Sequence, residues 1–338
     1  MDAAGAGAGT VPAAERPGAG RRMLALALRY NFIVIFFVVV AIAAILSDSF
    51  LAWRNLSNLF QQAAVVGICA TGMSFVILTA NIDLSVGSVV ACGGMVASLL
   101  MAAHVPPPLA VAAALGTGAA IGGLMGAISA YAAVPSFIIT LAGLVTVRGV
   151  TYLMSGGVPV GGLPRGFGQF GTAEVAVLPG LHMPLLGLIF LAVWAVAALL
   201  LRFTVFGEYV YATGGNAEAA RLSGLPVRGV VCAVFAISGL LAAFAGVLLC
   251  ARLRIGQPTA AQGLELDAIA AVVLGGTSLF GGRGGVVGTL FAVMLLQVLR
   301  NIFNLLGLGS FYQMTVTGLV IVLAILLNRA IDIRQGRR

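Results

Sequence analysis

The sequence contains few charged residues and no lysine. Only 8% of its 338 residues are Asp, Glu, Lys or Arg, whereas 61% are hydrophobic. Soluble domains carry about 25% charged residues, so a water-soluble fold could not cover its surface with this composition. The scarcity of charge therefore excludes an ordinary soluble enzyme and predicts a chain that meets membrane lipid over most of its area.

Cysteine and histidine are also scarce. The four cysteines form no C-x-x-C pair, and none lies near a histidine at the spacing of a metal site. We interpret them as small apolar residues of helices. The two histidines, His104 and His182, stand near prolines in predicted loops. The sequence therefore predicts no metal site, no bound cofactor and no catalytic residues.

Every basic residue is arginine, and the formal net charge is +8. A basic chain can bind nucleic acid. Here, however, the arginines collect in loops between apolar spans, which is typical of membrane topology, so we expect no nucleic-acid partner. The sequence also lacks the phosphate-binding motif G-x-x-x-x-G-K-[ST], so the chain is not expected to hydrolyse ATP itself.

Long apolar runs divide most of the chain. A helix needs about 20 apolar residues to cross the hydrocarbon core of a bilayer. This criterion predicts an all-α membrane protein, a polytopic helical bundle of about ten transmembrane helices. The predicted spans are 30–47, 60–79, 84–103, 109–131, 135–154, 183–201, 230–250, 267–280, 286–306 and 312–328.

The distribution of arginine predicts both the domain organisation and the orientation. Residues 1–29 are predicted to form a disordered, basic cytoplasmic tail, and residues 330–338 form a second basic cytoplasmic tail. Between them lies the transmembrane domain, 30–329, whose longest polar stretch is the cytoplasmic loop 202–229. Most arginines then fall on the side of the N terminus, so both termini are predicted to be cytoplasmic. A cleaved signal peptide is the less favoured interpretation of the first apolar run, because no clear A-x-A site follows it.

The polar stretch 202–229 contains explicit signals for a short helix. Asn216 is a favoured N-cap residue, and Glu218 lies in the first turn, where the helix dipole favours negative charge. Gly224 can end the helix, and Pro226 prevents it from resuming. The pattern predicts an amphipathic helix of about two turns that lies along the membrane. On these signals alone, an ordinary loop and a docking element for a cytoplasmic partner fit equally well.

Charged residues within apolar spans are functional candidates because they are costly in lipid. Asp83 begins the third predicted span, where it or Ser85 can satisfy free N–H groups as a helix cap. A direct role of Asp83 on a translocation path is the alternative, and the two roles can coexist. Arg148 and Arg300 are expected to extend outward or to pair within the bundle.

A second group of charges is predicted at the outer mouth of the bundle. Arg252 and Arg254 lie on the outer side, against the usual bias of basic residues toward the cytoplasm, and Glu265 and Asp267 open the eighth predicted span. Pairing between these opposite charges would explain the unusual arginines. Docking of an external protein on them is the rival interpretation.

Four segments resemble the permease subunits of ribose-type ABC sugar importers. They are Leu78–Ser88, with the letters LTANIDLSVGS; Tyr211–Gly224, with YATGGN and ARLSG; Gln257–Ala260, with QPTA; and Glu265–Gly282, with ELDAIAAVVLGGTSL and GG. Their order and spacing cover nearly the whole chain beyond the N-terminal tail. One departure is Asn81, which stands where the family usually has glycine.

The resemblance implies a division of labour between subunits. Two permeases, as a homodimer or with a sister permease, would form the pore in the bacterial inner membrane. Cytoplasmic ATP-binding subunits would dock beneath them, and a periplasmic or extracellular sugar-binding protein would deliver the solute. The short helix would then be the coupling helix, seated in a groove of the ATPase, with the residues Gly215, Asn216, Glu218, Ala219, Ala220, Arg221, Leu222, Ser223 and Gly224.

A neutral sugar needs only weak polar contacts along its path. Polar residues in or beside the spans are therefore candidates, although such residues also hold helices together. Alternative solutes for the same fold are a branched-chain amino acid, a nucleoside or an autoinducer, and an ATP-independent secondary transporter is a more distant alternative. The candidate path residues are Asn81, Asp83, Ser85, Thr140, Asn301, Asn304 and Gln313.

Two polar breaks in the apolar pattern suggest an internal repeat. One break lies at 79–85 and the other at 251–267, and five predicted crossings separate them. Because five is odd, two matching halves would have opposite orientations in the membrane. We therefore expect an inverted repeat.

The predicted topology can be tested with an epitope tag at each terminus. In right-side-out membrane vesicles, we expect both tags to be protected from added protease, because the excess of arginine holds both ends in the cytoplasm. Immunoblotting measures the protection. Digestion of either tag in sealed vesicles would contradict the topology.

Overall fold

The computed structural model describes residues 31–178, 181–309, 311–313, 315–316, 318–319 and 322. The predicted tails at 1–29 and 330–338 lie outside the described residues. So does much of the last predicted span, 312–328.

The described chain is almost entirely helical. Its elements, in order, are α1 Asn31–Leu46, α2 Trp53–Leu78, α3 Val86–Ala102, α4 Pro107–Tyr131, α5 Ser136–Ser155, α6 Arg165–Phe170, β1 Glu174–Leu178, β2 Leu181–Pro184, α7 Leu185–Phe203, α8 Val205–Gly215, α9 Ala217–Leu222, α10 Val227–Leu253, α11 Leu264–Leu274 and α12 Val286–Leu305. Within the described residues, six helices are long and apolar enough to cross a membrane, namely α2, α4, α5, α7, α10 and α12, and the apolar helices α1 and α3 are shorter. The all-α, polytopic prediction is confirmed.

Two predicted spans differ from the structure. The second begins at Trp53 rather than at 60, because the polar residue Asn55 finds a partner inside the bundle, where its amide exchanges hydrogen bonds of 2.8 and 2.7 Å with Asn301. The predicted eighth span, 267–280, is the 11-residue helix α11. At a rise of about 1.5 Å per residue, α11 alone is too short to cross about 30 Å of hydrocarbon. The predicted continuous span is therefore wrong, and the chain reaches Gly282, beside Leu78, through α11 and the non-helical residues 275–285. The chain leaves the helix at Gly275 and Gly276, the second of which has a φ of 87°.

The connections between helices are more ordered than the sequence pattern indicates. Strands β1 and β2, which the apolar pattern did not predict, pair in an antiparallel hairpin between α6 and α7, with Glu174 opposite Pro184. The predicted polar loop 202–229 is mostly helical, because it contains α8 and α9. Helix α8 begins directly after Thr204. The Thr204 hydroxyl caps α8 by accepting a hydrogen bond from the Gly207 N–H at 3.3 Å.

Helix α10 lies at the centre of the bundle and packs against α2, α3 and α4. Glycines allow the backbones of these helices to touch, because they carry no side chain at the points of contact. A Cβ atom on Gly239 of α10 would lie 2.2 Å from the Gly118 carbonyl oxygen of α4, and one on Gly246 would lie 2.0 Å from the Val90 carbonyl oxygen of α3. Small residues are the usual means of close helix packing in lipid, where no hydrophobic force drives helices together.

Two non-helical breaks interrupt the bundle, and each connects a long helix to a short one. We name them by the predicted orientation: the inner break, residues 79–85, connects α2 to α3, and the outer break, residues 254–263, connects α10 to α11. The first turns of the two short helices meet, because a Cβ atom on Gly87 of α3 would lie 2.3 Å from Oε2 of Glu265 in α11. The order of long helix, break and short helix therefore occurs twice, and the inverted orientation of the two halves stays a prediction.

The crossing of α4 and α10 can be tested at a glycine of α4. A Cβ atom on Gly122 would lie 2.1 Å from the Phe235 carbonyl oxygen, and backbone cannot move aside as a side chain does. We expect Gly122→Val to lower the free energy of unfolding by about 3 kcal/mol, the upper end for overpacking. The thermal midpoint in detergent, followed by gel filtration, measures the change.

Gly116 of the same helix provides the matched control. A Cβ atom there would meet nothing within 4 Å, so Gly116→Val should leave the midpoint nearly unchanged. Equal loss of stability in both variants would show that the close crossing is not the cause.

Candidate coupling and translocation sites

Helix α9 has the start and the end that the sequence predicts. The Asn216 side-chain oxygen accepts a hydrogen bond from the Ala219 N–H at 2.9 Å, which satisfies a free donor of the first turn. At the other end, the Leu225 N–H donates to the Ala220 carbonyl at 3.0 Å while Gly224 adopts a φ of 85°. This left-handed glycine ends the helix.

The charged side chains of α9 bind each other and face outward. Arg221 donates two hydrogen bonds to Glu218, at 2.6 and 3.1 Å, and the side chains are 63% and 65% exposed, respectively. The hydrogen bonds and the charge of Arg221 lower the pKa of the Glu218 carboxyl from its ordinary value, so the pair is ionised at neutral pH. Ala220 is buried against the protein, whereas Leu222 is 75% exposed. The helix therefore presents an ion pair and an apolar side chain.

Three segments that are distant in sequence meet directly beside α9. The Gly282 N–H donates to the Leu78 carbonyl at 2.9 Å, which joins the loop before α12 to the end of α2. Gly214 at the end of α8 fits between them, since a Cβ atom there would lie 1.8 Å from the Leu78 oxygen and 2.7 Å from the Gly282 nitrogen. The Tyr211 hydroxyl also donates to the Gly284 carbonyl at 3.0 Å. We call the contact of Leu78, Gly214 and Gly282 the glycine junction.

Asp83 holds the inner break against α10. Its carboxylate is 1% exposed, and Oδ1 accepts hydrogen bonds from the Ser85 N–H at 3.0 Å and the Ser85 hydroxyl at 2.6 Å. Oδ2 accepts from the Ser238 hydroxyl of α10 at 2.9 Å. Asp83 therefore satisfies the N–H immediately before α3, whereas the Ser85 side chain makes no cap bond to that helix.

Two other predicted path residues also bond to the inner break. The Asn81 amide donates to the Thr79 carbonyl at 2.8 Å, and the Thr140 hydroxyl of α5 donates to the Ile82 carbonyl at 3.2 Å. The left-handed conformation at this break falls on Ala80, with a φ of 60°. Asn81 in place of the family's glycine therefore meets no such strain.

The remaining predicted path residues form a separate group. Asn301 bonds to Asn55 of α2, and Gln313 donates to the Asn304 side chain at 2.7 Å. The structure therefore does not gather the predicted path residues at one place. Each bonds to a neighbouring part of the fold.

The charges of the predicted outer mouth pair differently from the expectation. Asp267 forms an ion pair with Arg300 of α12, and within the described residues the other ion pair is Arg221–Glu218. The expected pairing of Arg252 and Arg254 with the carboxylates is therefore wrong. The reason is geometric, because the end of α10 packs against α6, with the Arg254 side chain beside Gly168, whereas α11 faces α12.

Arg148 is the residue whose role the sequence did not reveal. Its Nη1 donates to the carbonyl oxygens of Pro258 at 2.9 Å and Ala260 at 2.7 Å. The arginine of α5 thus binds backbone of the outer break. An arginine within an apolar span signalled a special role, but its partners are carbonyl groups, which no sequence pattern marks.

Comparison with known proteins identifies the family. The sequence model of the family described as "Branched-chain amino acid transport system / permease component" matches residues 55–325. The chain belongs to this family of permeases and is a multi-pass protein of the bacterial inner membrane.

Individual relatives are similar over nearly their whole length. Ribose import permease protein RbsC of Escherichia coli strain K12 is 45% identical over 314 residues, which cover 91% of this chain and 97% of that protein. The protein of the same name from Bacillus subtilis strain 168 is 43% identical over 295 residues, covering 87% and 90%. L-arabinose ABC transporter permease protein AraH of Azospirillum brasilense is 36% identical over 301 residues, covering 89% and 87%. No solved structure matches the chain.

The glycine junction predicts different effects for two adjacent glycines. Gly214→Ala should force Leu78 and Gly282 apart and lower the free energy of unfolding by about 3 kcal/mol, because its Cβ atom meets backbone. Gly215→Ala should have little effect, because a Cβ atom there meets nothing within 4 Å. Thermal midpoints of both purified variants measure the difference. Two equally stable variants would contradict the junction.

Proposed function

We propose that this chain is the pore-forming subunit of an ATP-binding cassette importer that carries a monosaccharide, ribose or a related sugar, across the inner membrane. The observation that carries the proposal is the near full-length similarity to permeases named for ribose and L-arabinose. Xylose transport system permease protein XylH of Escherichia coli strain K12, which is 34% identical over 360 aligned positions, adds a third sugar. ATP hydrolysis belongs to a separate subunit.

Helix α9 is the proposed docking element for that ATP-binding subunit. It is a short, rigidly capped helix whose ion pair and Leu222 side chain face outward. The glycine junction lies directly before it, and Leu78 immediately precedes the inner break. A movement of the ATPase against α9 would therefore reach the inner break through backbone contacts, without a flexible linker.

The other partners follow from the same proposal. A second permease copy completes the pore, and a sugar-binding protein docks at the opposite, outer end of the bundle. That end carries the exposed Arg254, the β1–β2 hairpin and helix α6, with the exposed Arg165. These groups offer charge and shape to an external protein.

The alternatives have less support. The family description names branched-chain amino acids, so a permease of this fold for an amino acid, a nucleoside or an autoinducer is the nearest alternative. The relatives above, all named for sugars, favour a sugar. In an ATP-independent secondary transporter, the capped and exposed helix α9 would have no partner.

The coupling role is tested by removing α9. Replacing residues 217–222 with Gly and Ser should abolish copurification of the ATP-binding subunit. The charge exchange Glu218→Arg with Arg221→Glu should weaken it, because the exchange keeps the internal pair but reverses the surface charges. An exposed pair contributes little to folding stability, so we expect normal amounts of inserted permease. Affinity purification from membranes measures the association.

Arg165→Glu provides the control, since Arg165 is also exposed but lies at the outer end. It should leave the ATPase association intact. Undiminished association after the loss of α9 would refute the coupling role.

A further inference from the structure

A group of polar side chains remains partly exposed within the membrane-spanning part of the protein. Arg148 is half-buried and lies about 18 Å along α5, counted from Ser136 at about 1.5 Å per residue. One turn later, the Tyr152 hydroxyl accepts a hydrogen bond from the exposed Gln262 amide at 3.2 Å. Glu265, in the first turn of α11, is also half-buried. All four groups adjoin or belong to the outer break.

These groups do not suit a lipid environment. Ionised and amide groups in a membrane face the interior of a bundle, a water-filled cavity or another protein chain. The same helix carries apolar side chains that do suit lipid, such as Val150, which is 47% exposed, and Leu153, which is 84% exposed. Helix α5 therefore has a polar side and an apolar side at the same depth.

The charges of this group offset each other. Arg148 uses one nitrogen for the Pro258 and Ala260 carbonyls, which leaves other guanidinium N–H groups without a hydrogen bond inside the described chain. Glu265 carries the opposite formal charge to Arg148, and its carboxylate lies against Gly87 at the N-terminal end of α3. Negative charge is favoured at a helix N terminus. The group is thus polar, rich in donors and acceptors, and close to neutral.

We propose that Arg148, Tyr152, Gln262 and Glu265 form a subsite on the translocation path for a neutral, polyhydroxylated solute. Each hydroxyl of such a solute both donates and accepts, and the subsite offers guanidinium donors, carboxylate acceptors, and amide and phenol groups that do both. A carboxylate solute would instead call for unbalanced positive charge or for a free helix N terminus, whereas the Glu265 carboxylate already lies at the N-terminal end of α3. This proposal rests on the proposed function and specifies where the sugar makes contact.

The space beside α5 is compatible with this role. Gly156 lies one turn beyond Tyr152, just past the end of the helix, and is exposed. A Cβ atom there would meet nothing within 4 Å. A solute that enters the path at its outer end therefore meets Tyr152 and Gln262 first and then Arg148 and Glu265.

The first test asks whether this side of α5 faces water. The four native cysteines are replaced, and the complete transporter carries Tyr152→Cys on the polar side or Leu153→Cys on the apolar side, two adjacent positions at one depth. A charged, membrane-impermeant thiol reagent should label Tyr152→Cys at least tenfold faster than Leu153→Cys. Equal rates, or a disulfide between two Tyr152→Cys copies in place of labelling, would overturn the proposal in favour of lipid or a contact between copies.

The second test separates passage of the sugar from coupling. In the complete transporter, Tyr152→Phe and Gln262→Ala should each lower the maximal rate of ribose uptake about tenfold, equivalent to about 1.4 kcal/mol. ATPase activity stimulated by the loaded binding protein should stay at the wild-type level. Leu153→Ala, beside Tyr152 but on the apolar side, should leave both rates unchanged.

The outcomes distinguish this proposal from the proposed function. Uptake at the wild-type rate in both variants would refute the subsite. Parallel loss of uptake and ATPase activity in the conservative Tyr152→Phe would also refute it, and neither outcome affects the proposed function as long as the wild-type complex transports ribose. Absence of ATP-driven ribose uptake in the wild-type complex would instead refute the proposed function.

Discussion

The structure depends on how the chain satisfies backbone polar groups where its helices break inside the membrane part. Lipid offers no hydrogen bonds, so irregular backbone at that depth must find partners within the protein. At the inner break, the Asp83 carboxylate accepts from the Ser85 N–H, and the hydroxyls of Ser136 and Thr140 bond to the N–H and carbonyl of Ile82. At the outer break, Arg148 donates to two carbonyl groups. Helix α5 supplies partners to both breaks.

This requirement explains why polar residues of the spans occur where they do. Asp83 and Thr140 have structural tasks that account for their position inside an apolar bundle, and Asp267 is held by Arg300. Glycines serve the same end by bringing backbones close, at the crossing of α4 and α10 and at the glycine junction. The inner break is thereby tied to α9, and the outer break to the polar side of α5, which gives each break a distinct part in the proposed transport cycle.

Local signals in the sequence predicted the local features well. The cap at Asn216, the end at Gly224 and the extent of α12 follow from the identity of a few adjacent residues. Features that depend on distant partners did not follow. The apolar run that continues past Gly275 predicts a continuous span over 267–280, whereas helix α11 ends at Leu274. The early start of α2 depends on a bond between Asn55 and Asn301.

The contacts of the candidate sites also depend on distant partners that the sequence does not reveal. The segments at Leu78, Gly214 and Gly282 were each recognisable in the sequence, but only the fold shows that they touch. Arg148 stands out in the sequence as a charge within a span, but the residue types around it do not predict its carbonyl partners. Residue type alone predicts one set of polar path residues, whereas exposure within the fold favours a different set around the outer break.

The most direct test of the account is sugar accumulation in proteoliposomes that contain this permease and its ATP-binding subunit. Radiolabelled ribose is supplied outside with the binding protein, and ATP or a non-hydrolysable analogue is enclosed on the ATPase side. The account predicts accumulation above the external concentration with ATP and none with the analogue. Equal uptake in both preparations, or uptake without the ATP-binding subunit, would contradict it.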